Sequence, residues 1–249
     1  MKKTSAAFLL ALTLAPVVAT SISASADDIT YYSKGSITFQ EGTGTVNPVD
    51  PTNPTVPVNP TDPVNPITPG TDGPLSIDFA SNWNFGTQDI AAQNATYYAQ
   101  PQGLTSGDPV PLYAQVSDRR GTFAGWSLSL TQLAQFKDGS GNQLTGAQLS
   151  FRGSGTTAST SQTAASGVQT VGFFLTPGTA QSLLSAKENE GTGTNTYSFG
   201  NMGQYDSSAI DGTTPASKSA VQLSVLGGSM RKAAYTTDLV WTLADTPAP

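Results

Sequence analysis

The 249-residue chain contains no cysteine and no histidine. Without cysteine there is no disulfide, no thiolate nucleophile and no thiol for lipid attachment. Without histidine there is no imidazole general base. Ser-His-Asp and Cys-His catalysis, zinc sites and haem attachment therefore cannot be built from this chain alone. Catalysis would have to rest on carboxylates, Lys, Tyr or an oxygen-ligated ion. Charge is scarce too: Asp, Glu, Lys and Arg make up 11% of residues, against about a quarter in an average soluble domain. No apolar run reaches the roughly 20 residues a membrane-spanning helix needs.

What is present begins with an address. Lys2 and Lys3 precede an apolar run from Phe8 to Val18, and Ser23-Ala24-Ser25-Ala26 supplies small residues for cleavage after Ala26. A basic start, a short apolar run and a small-residue site describe a secretory signal peptide over residues 1–26. Its removal leaves 11 − 2 = 9 basic residues against 17 acids, a charge of −8. Such a chain is repelled by phosphate polymers, which excludes nucleic acid as a partner. The last residues, Ala244-Asp245-Thr246-Pro247-Ala248-Pro249, form neither a hydrophobic tail nor an L-P-x-T-G sorting signal. The expectation is an exported protein held at a surface without covalent or membrane anchor.

Three further regions follow. Residues 27–45 hold one alternating segment, Gly35-Ser36-Ile37-Thr38-Phe39, which predicts a strand that pairs with the main sheet or waits for a partner. Residues 46–73 form a spacer in which prolines fall at 48, 51, 54, 57, 60, 63, 66 and 69. A period of three matches the polyproline II helix and predicts a semi-rigid rod of roughly 70 Å. Residues 74–249 are the main domain. There apolar residues alternate with polar ones at Leu75–Phe79, Leu112–Val116, Trp126–Leu130, Leu149–Phe151, Val171–Phe173, Val221–Val225 and Leu239–Leu243. Short alternating runs bounded by Gly, Asn, Asp and Ser predict an all-β fold, an antiparallel β-sandwich of Ig-like or related type. One or two short helices are expected. Thr176-Pro177-Gly178 reads as a helix start ahead of Ala180, Leu183, Leu184 and Lys187, and Leu130–Phe136 is a second candidate. Gly153–Gly167, almost free of large side chains, reads as an exposed loop, and Asp138–Asn142 as a turn.

Trp126-Ser127-Leu128 and Trp241-Thr242-Leu243 repeat one tripeptide, W-x-L, 241 − 126 = 115 residues apart. On a strand the Trp and Leu of each motif share a face. With them stand the G-x-I-x-F segment, the Pro-every-third spacer, an L-x-I-D-F opening from Leu75 with Phe85-Gly86 beyond it, Asp118-Arg119-Arg120-Gly121 ahead of Gly125-Trp126-Ser127-Leu128, and an ending from Ala234 to Leu243. On these features the chain resembles the WxL-domain surface proteins of Gram-positive bacteria, in particular their small, single-domain members. The resemblance implies non-catalytic, non-covalent attachment to the cell wall with peptidoglycan as ligand. It also implies association with a membrane-anchored partner protein; the competing functions are a protein-interaction subunit that binds such a partner and an adhesin for host matrix. No cofactor or metal is implied.

An exposed aromatic serves sugar binding, whereas a buried one builds a core. The Leu beside each Trp favours Trp126, Leu128, Trp241 and Leu243 as core residues packed near one another. Candidates for ligand contact are Tyr113, which faces opposite to Leu112 and Ala114, and the paired cations Arg119–Arg120 and Arg231–Lys232, suited to wall carboxylates or phosphates. Trp83, Tyr97 and Tyr98 are further aromatics able to stack on sugars. Ser229-Met230-Arg231-Lys232 fits an S-x-x-K pattern, but no K-T-G accompanies it. Asp138, Ser140 and Asn142 have the spacing of a calcium loop, but Gln143 and Leu149 replace its Gly and Glu. Glu188 and Glu190 lack a distant carboxylate with which to form a glycosidase pair.

Overall fold

In the computed structural model the described residues are 29–247; the signal-peptide reading lies outside them. Ile29–Thr38 belong to one unit and carry no regular structure. From Phe39 onward the described chain is a second compact unit. In chain order its strands are β1 (Val49–Asp50), β2 (Asn53–Pro57), β3 (Pro60–Thr61), β4 (Leu75–Ala80), β5 (Ala95–Tyr98), β6 (Gly103–Leu104), β7 (Tyr113–Asp118), β8 (Trp126–Gln132) and β9 (Lys137–Asp138). They continue as β10 (Gln148–Phe151), β11 (Thr156–Ser159), β12 (Gly167–Val168), β13 (Phe173–Phe174), β14 (Ala180–Ala186), β15 (Gly193–Ser198), β16 (Val221–Val225), β17 (Tyr235–Thr236) and β18 (Leu239–Ala244).

Three four-stranded antiparallel sheets carry the fold, ordered β13-β10-β16-β5, β11-β15-β7-β4 and β12-β14-β8-β18. Two-stranded pieces β1-β2, β3-β6 and β9-β17 flank them. The architecture is all-β and sandwich-like, because the alternating runs of β7, β8, β10 and β16 each bury an apolar face in a shared core. Trp126, Leu128 and Leu130 of β8 meet Ala114 and Val116 of β7, Leu149 and Phe151 of β10, and Val221, Leu223 and Val225 of β16 in one core. Phe199 is its aromatic hub. Trp83, Tyr197, Phe151 and Trp241 approach its ring at 5.1, 5.1, 5.4 and 6.1 Å, all edge-on, the arrangement that ring quadrupoles favour.

The structure corrects several expectations. The Thr176 segment is no helix. Gly178 takes φ +79, a left-handed turn that a helix cannot contain, and Ala180–Ala186 pair with β8 instead. Leu183 and Leu184 are adjacent and both fully buried because the register shifts between Ser182 and Leu184. Such a bulge turns neighbouring side chains to one face, producing apolar spacing that also reads as helical. Leu130–Phe136 is not helical either: β8 runs to Gln132, and Leu133 beyond it is exposed. The one helical turn among the described residues is a 3-10 turn at Met202–Gln204. Within Gly153–Gly167, Thr156–Ser159 pair with β15, an edge position where threonines suffice. The Gly35–Phe39 segment is not a strand.

The Pro-periodic stretch returns over the domain. β1 and β2 form a hairpin laid on the outer face of the β7 sheet. Val49 N–H donates to Gln115 Oε1 at 2.8 Å, Gln115 Nε2 donates to the Asn47 carbonyl at 3.1 Å, and Thr196 Oγ1 donates to the Pro51 carbonyl at 2.9 Å. Proline is tolerated there because an edge strand can spare its N–H. Together with the small cluster of Phe79, Val110, Ile67 and Leu104 around Tyr113, the cover explains why every residue of β7, on both faces, is buried. Beneath it, Asp78 accepts from Ser76 Oγ, Ser117 Oγ and Gln115 Nε2 at 2.6, 2.6 and 2.8 Å. Burial raises its pKa, against the lowering effect of those donors.

Candidate functional site

The two W-x-L motifs meet but have unlike surroundings. β18 pairs with β8 so that Leu243 lies opposite Leu128 and Trp241 opposite Leu130, which joins the late motif to the early one. β8 lies between β14 and β18, and Trp126 and Leu128 are fully buried. Trp126 Nε1 donates to the Gly191 carbonyl at 3.0 Å, satisfying the one polar atom of the ring. Gly191 has φ +68, and a Cβ there would sit 2.5 Å from the Ala186 methyl, so the site needs a glycine. β18 is an edge strand, and Trp241 and Leu243 are only half-buried. They line a groove of about 490 Å³ with Thr71, Leu75, Ile77, Thr242, Ala244 and Asp245.

The remaining sequence candidates separate by environment. Tyr113 is fully buried, its ring 4.7 Å from Phe79; it packs in a small second core with Phe79 and Val110, covered by Ile67 and Leu104, and burial raises its pKa. Arg120 forms a two-pronged pair with Asp118, at 3.0 and 2.7 Å, and donates to the Gly125 carbonyl. The Asp118 hydrogen bond holds its pKa up. Arg119 donates to the carbonyls of Thr43, Gly44 and Gly73, clamping the chain on both sides of the Pro-rich stretch. Both guanidinium groups are thus committed to this protein's own backbone and carboxylate.

Arg231 and Lys232 are exposed. The Tyr235 hydroxyl accepts from Arg231 N–H at 3.2 Å, and Tyr235 on β17 lies opposite Asp138, with Thr236 opposite Lys137. Tyr97 extends its hydroxyl to Met230 Sδ at 3.2 Å. Arg231 is thus joined to Tyr235, Lys232 follows it in the chain, Lys137 lies on the strand paired with Tyr235–Thr236, and Tyr97 touches Met230 next to Arg231. Asp138 stands among them: its carboxylate accepts from Ser140 N, Asn142 N and Asn142 Nδ2, and the Asn142 side chain foremost, with Arg231 also contributing, holds its pKa below the usual range, so it is charged and offsets one of the cations. The same bonds make Asp138–Asn142 the turn expected from sequence. Lys137 was not singled out in the sequence, because only the β9–β17 pairing brings its strand to this segment; Tyr235 reaches Arg231 through a local turn.

The catalytic patterns do not converge. Ser229 Oγ donates to the Leu226 carbonyl at 2.7 Å. Glu190 accepts from Ser166 N and Lys187 N, and its pKa is lowered, chiefly by Ser166, opposite to what a general acid needs. Among the described residues no three acidic side chains cluster as a metal site, and no helix is long and apolar enough to cross a membrane. Trp83 is half-buried against Phe199.

A family model described as WxL domain surface cell wall-binding matches residues 26–247. Comparison with curated proteins and with solved structures gives no match.

Proposed function

From a chain that belongs to the WxL domain surface cell wall-binding family, and so works at the cell wall, we propose non-catalytic, non-covalent attachment through peptidoglycan. The contact is the corner formed by Lys137, Arg231, Lys232, Tyr97 and Tyr235. The observation that carries this reading is a cluster of exposed cations beside aromatic rings on a chain whose net charge is −6. Peptidoglycan presents sugar rings and peptides that bear carboxylates. Tyrosine offers a flat apolar surface with a polar tip, and Arg and Lys donate charge-assisted hydrogen bonds to carboxylates. Each exposed ion pair contributes only about 0–1 kcal/mol, so one corner holds weakly. Retention grows when many copies meet a repeating polymer.

The test is sedimentation with sacculi stripped of teichoic acid. Binding that weakens steeply with salt is expected, because exposed charges are screened over about 8–10 Å at moderate ionic strength. Arg231→Glu/Lys232→Glu should lower the bound fraction several-fold and flatten that salt dependence while leaving the melting temperature unchanged. Full retention by the double variant would overturn the assignment. Release of glycan fragments in the same tube would overturn the non-catalytic reading.

A further inference from the structure

The sandwich has an open seam. β4 and β18 are edge strands of two different sheets, and Leu75, Ile77, Trp241 and Leu243, which border the groove between them, remain half-exposed although they pack on the main core. The two edges are not equivalent. β4 has a register shift between Ile77 and Phe79, and its outer side is met by Thr71, which donates its N–H to the Ile77 carbonyl and accepts from Ile77 N–H at its hydroxyl. The backbone bonds of β18 run, among the described residues, to β8 alone. β18 reads Leu-Val-Trp-Thr-Leu-Ala, with no charge, proline or bulge. Stable proteins blunt such an edge with those devices, because a long apolar edge invites another strand. The other outer strands are shorter: β12 and β13 have two residues each, and β5 and β11 four.

The same chain carries a segment that matches the vacancy. Ile37 and Phe39 are 76% and 84% exposed, and Tyr31 and Tyr32 nearby are exposed as well. Ile37 and Phe39 alternate with Ser36 and Thr38, so in extended form they share a face. Apolar residues concentrated in solvent mark an interaction element. Just beyond it the chain is fixed, because Gly42 N–H donates to the Arg119 carbonyl at 3.0 Å and the Arg119 guanidinium holds Thr43 and Gly44.

We propose that Gly35–Phe39 of one molecule adds as a strand to the free edge of β18 in a second copy. Ile37 and Phe39 then enter the groove beside Leu75, Ile77, Trp241 and Leu243, with Ser36 and Thr38 facing water. This is strand addition, in which backbone bonds supply adhesion and alternate side chains supply fit. The occupant is a second copy because donor and acceptor patterns lie on one sequence and are complementary in polarity and period. Donor and acceptor are different surfaces, so the contact is head-to-tail and propagates unless its rotation closes a ring. It is separate from the Arg231 corner, and the wall-binding reading neither requires nor supplies it.

The experiment is sedimentation of the secreted protein over a concentration series, with Ile37→Asp/Phe39→Asp as the donor variant and Val240→Lys as the edge variant. Both donor residues and Val240 are exposed, so folding should be unaffected, and melting curves check this. Wild type should self-associate, and each variant should weaken association about tenfold or more, the loss of at least about 1.4 kcal/mol. A photo-crosslinker at position 37, in a mixture of isotopically light and heavy copies, should give mixed-isotope products mapping to Leu239–Asp245. A wild type that stays monomeric, a donor variant that associates like wild type, or crosslinks confined within one copy would each overturn the proposal. Loss of association with unchanged binding to sacculi separates this result from any failure of the wall reading.

Discussion

Trp126 and Trp241 stand in the same tripeptide, yet their side chains answer to different neighbours. Trp126 is enclosed by β14 and β18 on either side of β8, and its indole N–H is paired. Trp241 touches the Phe199 ring edge at 6.1 Å and opens on the seam. Truncating a fully buried Trp costs about 3–5 kcal/mol, which for a domain of this size corresponds to a fall of roughly 6–20 °C in Tm. Trp126→Ala should fall in that range or fail to fold. Trp241→Ala, half-buried and free to relax toward solvent, should lose less than half as much. Near-ultraviolet melting curves decide it, and equal losses would refute the difference in environment. The alternation of Trp and Leu made the shared face of each motif legible. It held no information on which strand would be central, because sheet order comes from pairings across more than a hundred residues. Tyr113 shows the same limit. Its period places it opposite Leu112 and Ala114, as it is, but the side chains that cover it there, Phe79, Ile67 and Leu104 among them, come from other parts of the chain.

At the scale of elements, all seven alternating runs lie on or overlap strands, while the misread segments failed for identifiable reasons. The bulge in β14 imitates helical spacing, and β11 has threonines where a core strand would carry larger side chains. A three-residue proline period describes an extended backbone, and it does not say whether that backbone finds a sheet to lie on. The hairpin matters energetically because it seals a carboxylate. Asp78 has a raised folded pKa against an unfolded value near 3.9. Above the folded pKa both states are ionised and burial of the charge costs stability. As pH falls through that value the native state takes up a proton before the unfolded chain does, so stability rises, and the gain levels off below the unfolded pKa. Asp78→Asn cannot titrate. The stability of wild type minus that of Asp78→Asn should therefore increase from pH 7 toward pH 4. Urea denaturation at several pH values measures it, and a constant difference would contradict the burial argument. Asp206 and Asp211, held low by Ser208 and Thr214 respectively, act in the opposite sense in both proteins and cancel in the difference.

For the whole molecule, the decisive feature is that strands distant in sequence complete one another. β8 is formed early in the chain, and β18, its outer neighbour, comes at the end of the described residues. Until β18 arrives, β8 presents an open edge and Trp126 lacks part of its enclosure. Non-local pairing of this kind makes folding slow and leaves apolar surface open to aggregation meanwhile. A chain ending at Asp238 should therefore not be a slightly weakened version of the full protein. It should lose cooperative melting, bind a hydrophobic dye and aggregate during size-exclusion chromatography, because removing β18 exposes β8 along its whole length and strips Trp241 from the Phe199 hub. Were β18 only an attachment strand laid on a finished core, the shortened chain would keep a sharp transition with a modestly lower Tm. That outcome would move the second W-x-L motif out of the folding unit, and would leave the edge it forms as an appendage instead of the seam of the sandwich.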